Sequence, residues 1–133
     1  MAAGMLEQPP PRAILRACLG GMLPLDDKSR IGHRVSAAYF ARAVHDEELR
    51  TEAREGIPKL AAFFANLLRQ AQDRGEIAAD RDPDTEAMLL ISLADGLTAY
   101  TLLDVQTPER AEELLDQHLG RLFTPADDSP ERP

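Results

Sequence analysis

Asp95 is the residue whose chemistry most needs explaining. It stands inside Ala87–Leu103, a run that is otherwise almost wholly apolar. An ionised carboxylate among such side chains must be paired, hydrogen-bonded or near water. A polar or cationic ligand would satisfy it. Most of the aromatics, Tyr39, Phe40, Phe63, Phe64 and Tyr100, fall on the same group of helical segments. An aromatic face beside a carboxylate can hold a quaternary ammonium by cation–π attraction, and Met88 could serve as flexible lining. The structural reading stands next to this one. Asp95 would then pair with Arg34, Arg42 or His33, or sit by a partner chain, the aromatics would be plain core, and Met88 would fill a gap.

Other chemistries find little support. His33, His45 and His118 lie on different segments with no HxxxH or HExxH spacing, so no metal site is expected. There is no GxSxG, no Gly-rich phosphate loop and no Cys/His pair at a recognisable spacing. Cys18 is the only cysteine, which excludes an intrachain disulfide and any CxxC motif. The expectation is a protein without catalytic residues and without a cofactor.

Charge narrows the partners. The 133 residues carry a formal net charge of −8, and the basic residues are dispersed, so direct nucleic-acid binding by this chain is not expected. No uncharged apolar run approaches the length of a membrane span. The first residues, Met1 to Met5, lack the basic and apolar regions of a signal peptide. A cytoplasmic protein follows by default.

The elements that must position Asp95 and the aromatics are helices. Ala, Leu, Arg, Asp and Glu dominate, and the strand formers never alternate. A first helix begins after Pro9-Pro10-Pro11 and is stopped by Gly20-Gly21 and Pro24. A second opens near Asp26-Asp27 and runs to about Val44, with Ile31, Val35, Ala38 and Tyr39 on one stripe and Ala37, Phe40, Ala41 and Val44 beside it. The third starts at the N-cap Asp46 and ends at Gly75, with Gly56-Ile57-Pro58 expected to kink or break it. Asp82-Pro83 starts a fourth that extends to about Asp104. Thr107-Pro108 starts a fifth with a clean stripe of Ala111, Leu114, Leu115, His118, Leu119 and Leu122. The short loop between the last two predicts antiparallel neighbours. The fold class is therefore all-α, one domain of five to six helices over 12–123, between a flexible start (1–11) and a disordered tail (124–133).

The fourth helix is apolar on nearly every side, and such a helix must be covered on every side. The other helices of one small domain cannot do this, which implies a homodimer. The expected interface residues are Leu93, Leu97, Leu115, Leu119 and Leu122, with the last two helices of each copy forming a four-helix arrangement.

Several phrases, in their order and spacing, resemble the regulatory half of TetR-family transcriptional repressors, and most of all the BetI-type C-terminal domain. They are Leu23-Pro24-Leu25-Asp26, the run from Ala41 to Arg50, the turn from Ala71 to Pro83, Leu93-Ala94-Asp95-Gly96-Leu97, and Thr107 to Ala111 leading to His118-Leu119. The resemblance implies a ligand pocket enclosed by the first four helices, lined by some of Arg34, Phe40, Phe64, Met88, Asp95 and Tyr100, for a cationic or apolar small-molecule effector. No basic recognition helix precedes the first helix. The expected function is thus the ligand-sensing and dimerisation part of such a repressor, without its helix-turn-helix. The alternative is a dimeric helical interaction module that binds no small molecule.

Overall fold

The computed structural model describes residues 9–124. The flexible start and disordered tail expected from the sequence lie largely outside the described residues. Five helices follow in order: α1 (Pro11–Gly21), α2 (Asp27–Ala43), α3 (Glu47–Asp73), α4 (Pro83–Leu102) and α5 (Pro108–Leu122). No strand occurs among the described residues. The protein is all-α. None of these helices is long and apolar enough to cross a membrane.

Local chemistry explains where each helix begins. Asp26 accepts from the backbone N–H of Ser29, whose hydroxyl accepts from the backbone of Asp26, a reciprocal capping box. Asp46, Asp82 and Thr107 each accept from the N–H three residues on. Pro11, Pro83 and Pro108 occupy the first helical position, where a missing N–H costs nothing. α3 ends in a Schellman turn. Gly75 takes a positive φ of 77°, the Gly75 N–H bonds to Gln72, and the Glu76 N–H reaches back to Ala71. α4 ends the same way on Asp104, at φ 60°. An acidic side chain stands there where glycine would be easiest.

α3 does not break at Pro58, as the sequence led us to expect; it runs through as one helix. Pro58 is exposed, so water can serve the carbonyl it leaves unbonded.

The core lies around one side of α4. α1 contributes Leu15 and Leu19, α3 Phe64, Leu68 and Ala71, α4 Leu90, Ile91, Ala94 and Leu97, and α5 Ala111, Leu115, Leu119 and Leu122. Arg16 ties α1 to α5 through Asp116 at 2.6 Å and Glu112 at 2.9 Å. Gln72 holds the α3–α4 loop by donating to the carbonyls of Ala78 and Arg81. By contrast, α2 buries only Ala43, and the first half of α3 buries nothing. These two segments form an arm that projects from the core.

Arg30 anchors the start of α2 to the end of α4. Its guanidinium donates to the carbonyls of Thr101 and Leu102, both at 3.3 Å, and pairs with Asp104 at 2.9 Å. It thereby caps the C-terminus of α4, where unpaired carbonyls and the helix dipole favour a cation. Arg30→Ala should lower unfolding free energy by about 1–2 kcal/mol and speed amide exchange at the start of α2. A urea melt and exchange profile identical to wild type would show that the cap does not hold the arm.

Candidate functional site

The arm leaves a cleft of about 510 Å³ between α2, α4 and the end of α1, within the size range of small-molecule sites. Met22 closes its back. The Thr98 hydroxyl donates to the Met22 carbonyl at 2.6 Å, which fixes the end of α1 against α4. His33, Ala37 and Phe40 line it from α2, and Asp95, Thr98 and Leu102 from α4. Each trio repeats at three- and four-residue steps, so each belongs to one helical face. Phe40 stands at the open side with 57% of its surface exposed.

Asp95 is the one carboxylate in this lining. Among the described residues it has no ion-pair partner; the arginines considered from sequence, Arg34 and Arg42, do not pair with it. Asp95 is itself exposed on the cleft wall, and partial desolvation by the side chains around it raises its pKa above the ordinary value. The site thus presents an unneutralised acid among methyl groups, one aromatic ring and an imidazole. It can hold a body that is mostly apolar and carries one cationic or hydrogen-bond-donating group.

Of the six residues the sequence suggested, the structure brings Phe40 and Asp95 together and places the other four elsewhere. Phe64 is fully buried in the core. Arg34 sits one residue, roughly 100° of helix, beyond the cleft face of α2. Met88 shares the face of Asp95 but lies two turns nearer the start of α4. Tyr100 points away from the cleft and is exposed. His33 was weighed from sequence only as an ion-pair partner of Asp95, and Thr98 and Leu102 were missed, although counting in steps of three and four from Asp95 leads to them. His45 is exposed at the α2–α3 corner. His118 faces the start of α4, where burial holds its pKa below the ordinary value although Glu86 opposes the shift. Among the described residues no group of His, Cys, Asp or Glu is placed to hold a metal ion.

Four of the five leucines expected at an interface lie in the core instead. Leu97, Leu115, Leu119 and Leu122 are buried in the core of this same chain, and Leu93 is half-buried at its edge. α5 has a single apolar stripe, and α1, α3 and α4 already cover it. Its outward face is polar, with Arg110, Glu113, Gln117 and Arg121. Of the last two helices, α4 is the one that leaves large apolar side chains uncovered, among them Leu89 (51% exposed), Tyr100 (55%) and, at its C-cap, Leu103 (70%). With Leu93 and Gly96 these positions follow the 4-3-4-3 spacing of a coiled-coil seam.

The unpaired Asp95 has a measurable consequence. A raised pKa means that the folded state holds the proton more tightly than the unfolded chain. Asp95 therefore favours folding below its folded-state pKa and opposes it as pH rises through that value. Asp95→Asn should melt higher than wild type at pH 7, and the gain should shrink towards pH 4. A difference independent of pH would contradict this account of the carboxyl.

No curated protein and no solved structure matches the chain. Residues 11–124, which include every helix, the cleft and the α4 seam, match the sequence profile of the C-terminal domain of BetI-type transcriptional repressors. The chain belongs to this family of TetR-type regulatory domains.

Proposed function

We propose that this regulatory domain senses a small amphiphilic cation in the cleft between α1, α2 and α4, and pairs with a second copy through the exposed seam of α4. The observation that carries the first part is Asp95, an acid without a protein partner and the one carboxylate on the wall of a mostly apolar cleft. A ligand with an alkyl or aryl body and one ammonium group would neutralise it while covering Phe40 and Leu102. Phe40 offers the cation a ring face. Signal transmission requires only that the ligand bind one disposition of α2 and α4 better than another.

The pairing rests on the seam. Leu89, Leu93, Gly96, Tyr100 and Leu103 form a continuous apolar stripe of a kind soluble monomers rarely leave uncovered. A Cβ built on Gly96 would meet nothing within 4 Å, so nothing in its own chain requires a glycine there. Close approach of a facing helix would. Two copies of α4 crossing at this point make an isologous contact, and the polar outer face of α5 would form its rim.

Thermal-shift screening should find a stabiliser among quaternary ammonium compounds bearing an apolar body. A ligand at 100 times its Kd adds about 2.7 kcal/mol. Phe40→Ala should abolish the shift, and Asp95→Asn should remove the preference for the cation over its uncharged isostere. If both variants keep the wild-type preference, the ligand binds elsewhere. In light scattering at micromolar concentration the chain should run near twice its 14.6 kDa. Leu89→Glu and Leu103→Glu should yield monomers with an unchanged helical spectrum. A wild-type mass of 14.6 kDa would refute the pairing.

A further inference from the structure

α2 is apolar on two opposite faces, and the cleft uses one of them. The other carries Ile31, Val35, Ala38 and Tyr39, with Ile31 63% and Val35 66% exposed. Between this outer face and the first turns of α3 lies a groove of about 590 Å³. Val35, Ala38, Tyr39 and Leu49 form its apolar floor, and Glu48 and Glu52 stand along its α3 edge.

These two glutamates are four residues apart on one helix face, a like-charge pair that disfavours the helix slightly. Among the described residues neither pairs with a cation. Glu52 accepts only the neutral hydroxyl of Tyr39, at 3.1 Å. Asp46 adds a third carboxylate, committed to capping α3, and Arg42 is the one cation in the lining. An apolar floor with an unneutralised acidic edge is complementary to an apolar stripe flanked by basic residues.

The backbone on both sides is helical, so it offers no strand edge, and recognition must proceed through side chains. A third helix lying between two others is the mode that fits. The stripe from Ile31 to Arg42 spans roughly 17 Å, about three turns of such a helix. A second copy of this chain would bring the same acidic edge against itself, which argues against self-pairing here.

We propose that the α2–α3 groove docks an amphipathic basic helix of a partner protein, its apolar stripe on Val35, Ala38, Tyr39 and Leu49 and its Lys or Arg side chains against Glu48 and Glu52. The probe is a labelled synthetic helix of about 18 residues, with leucines at i, i+3, i+4 and i+7 and lysine and arginine on both flanks. A second probe keeps the leucines and carries glutamate flanks. Titrated against the full chain by fluorescence anisotropy, the basic probe should bind saturably, and the acidic probe about tenfold more weakly or not at all. Val35→Glu should abolish binding. The double variant Glu48→Gln, Glu52→Gln, at exposed positions that leave the fold intact, should weaken it about tenfold. Amide chemical-shift changes should fall within 31–52. Equal binding of the two probes, binding indifferent to Val35→Glu and to the glutamine pair, or shift changes confined to another face would overturn the proposal. So would a self-association lost in Val35→Glu, which would make a second copy the occupant.

Discussion

Covering α4 is the constraint around which the molecule is arranged. A helix reading Ala87-Met88-Leu89-Leu90-Ile91, then Leu93-Ala94 and Leu97, has too little polar surface to face water on any broad side. α3 and α5 pack on it most closely, while α1 lies mainly against α3 and touches α4 along a narrower line. Buried Leu90, Ala94 and Leu97 mark the solved part of the problem. Even Thr101, the single buried polar residue among those described, is satisfied within the helix, its hydroxyl donating to the Leu97 carbonyl at 2.7 Å.

The remaining circumference of α4 is divided between two uses. The side bearing Asp95, Thr98 and Leu102 is roofed by α2 at a distance, and so becomes a wall of the cleft instead of core. α2 can stand off in this way because it is held at its ends. Arg30 grips the carbonyls that close α4, and Ala43 is buried at the corner into α3. Between these points the helix bridges open space. A helix supported at two ends with few buried side chains between them belongs to the less stable portion of a fold, where ligand-responsive elements are commonly found.

Much of this was legible in the residues. The caps Asp46, Asp82 and Thr107, the three N-terminal prolines and the turn glycine Gly75 are local chemistry, and local chemistry reads directly. The two stripes of α2 were visible as well. Their burial was not, because periodicity shows which residues share a face but not whether anything packs on it. The same gap explains the leucines of α5. Leu115, Leu119 and Leu122 qualify equally for a core or for an interface, and only the position of α1, set by Arg16 reaching Glu112 and Asp116, decides that they turn inward. Phe64 failed as a pocket residue on the same ground. Asp95 could be singled out because a charge in an apolar helix is anomalous wherever the helix packs.

Asp95 and Gly96 are consecutive, and this adjacency joins the two uses of α4. Successive residues of a helix point roughly 100° apart, so one faces the cleft while the next lies on the exposed seam. Ala99 and Leu102, also in the cleft lining, stand beside Tyr100 and Leu103 in the same relation. α4 is one continuous helix of twenty residues, so a shift of its cleft face by an ångström or a few degrees would also shift the seam. Helix contacts built from interlocking side chains accept few registers, and a facing helix at Gly96 would have no long side chain to absorb the change. With a second copy packed on the seam, a small displacement at the carboxylate would become a choice between packings there, carried by one helix with no intervening chain of contacts.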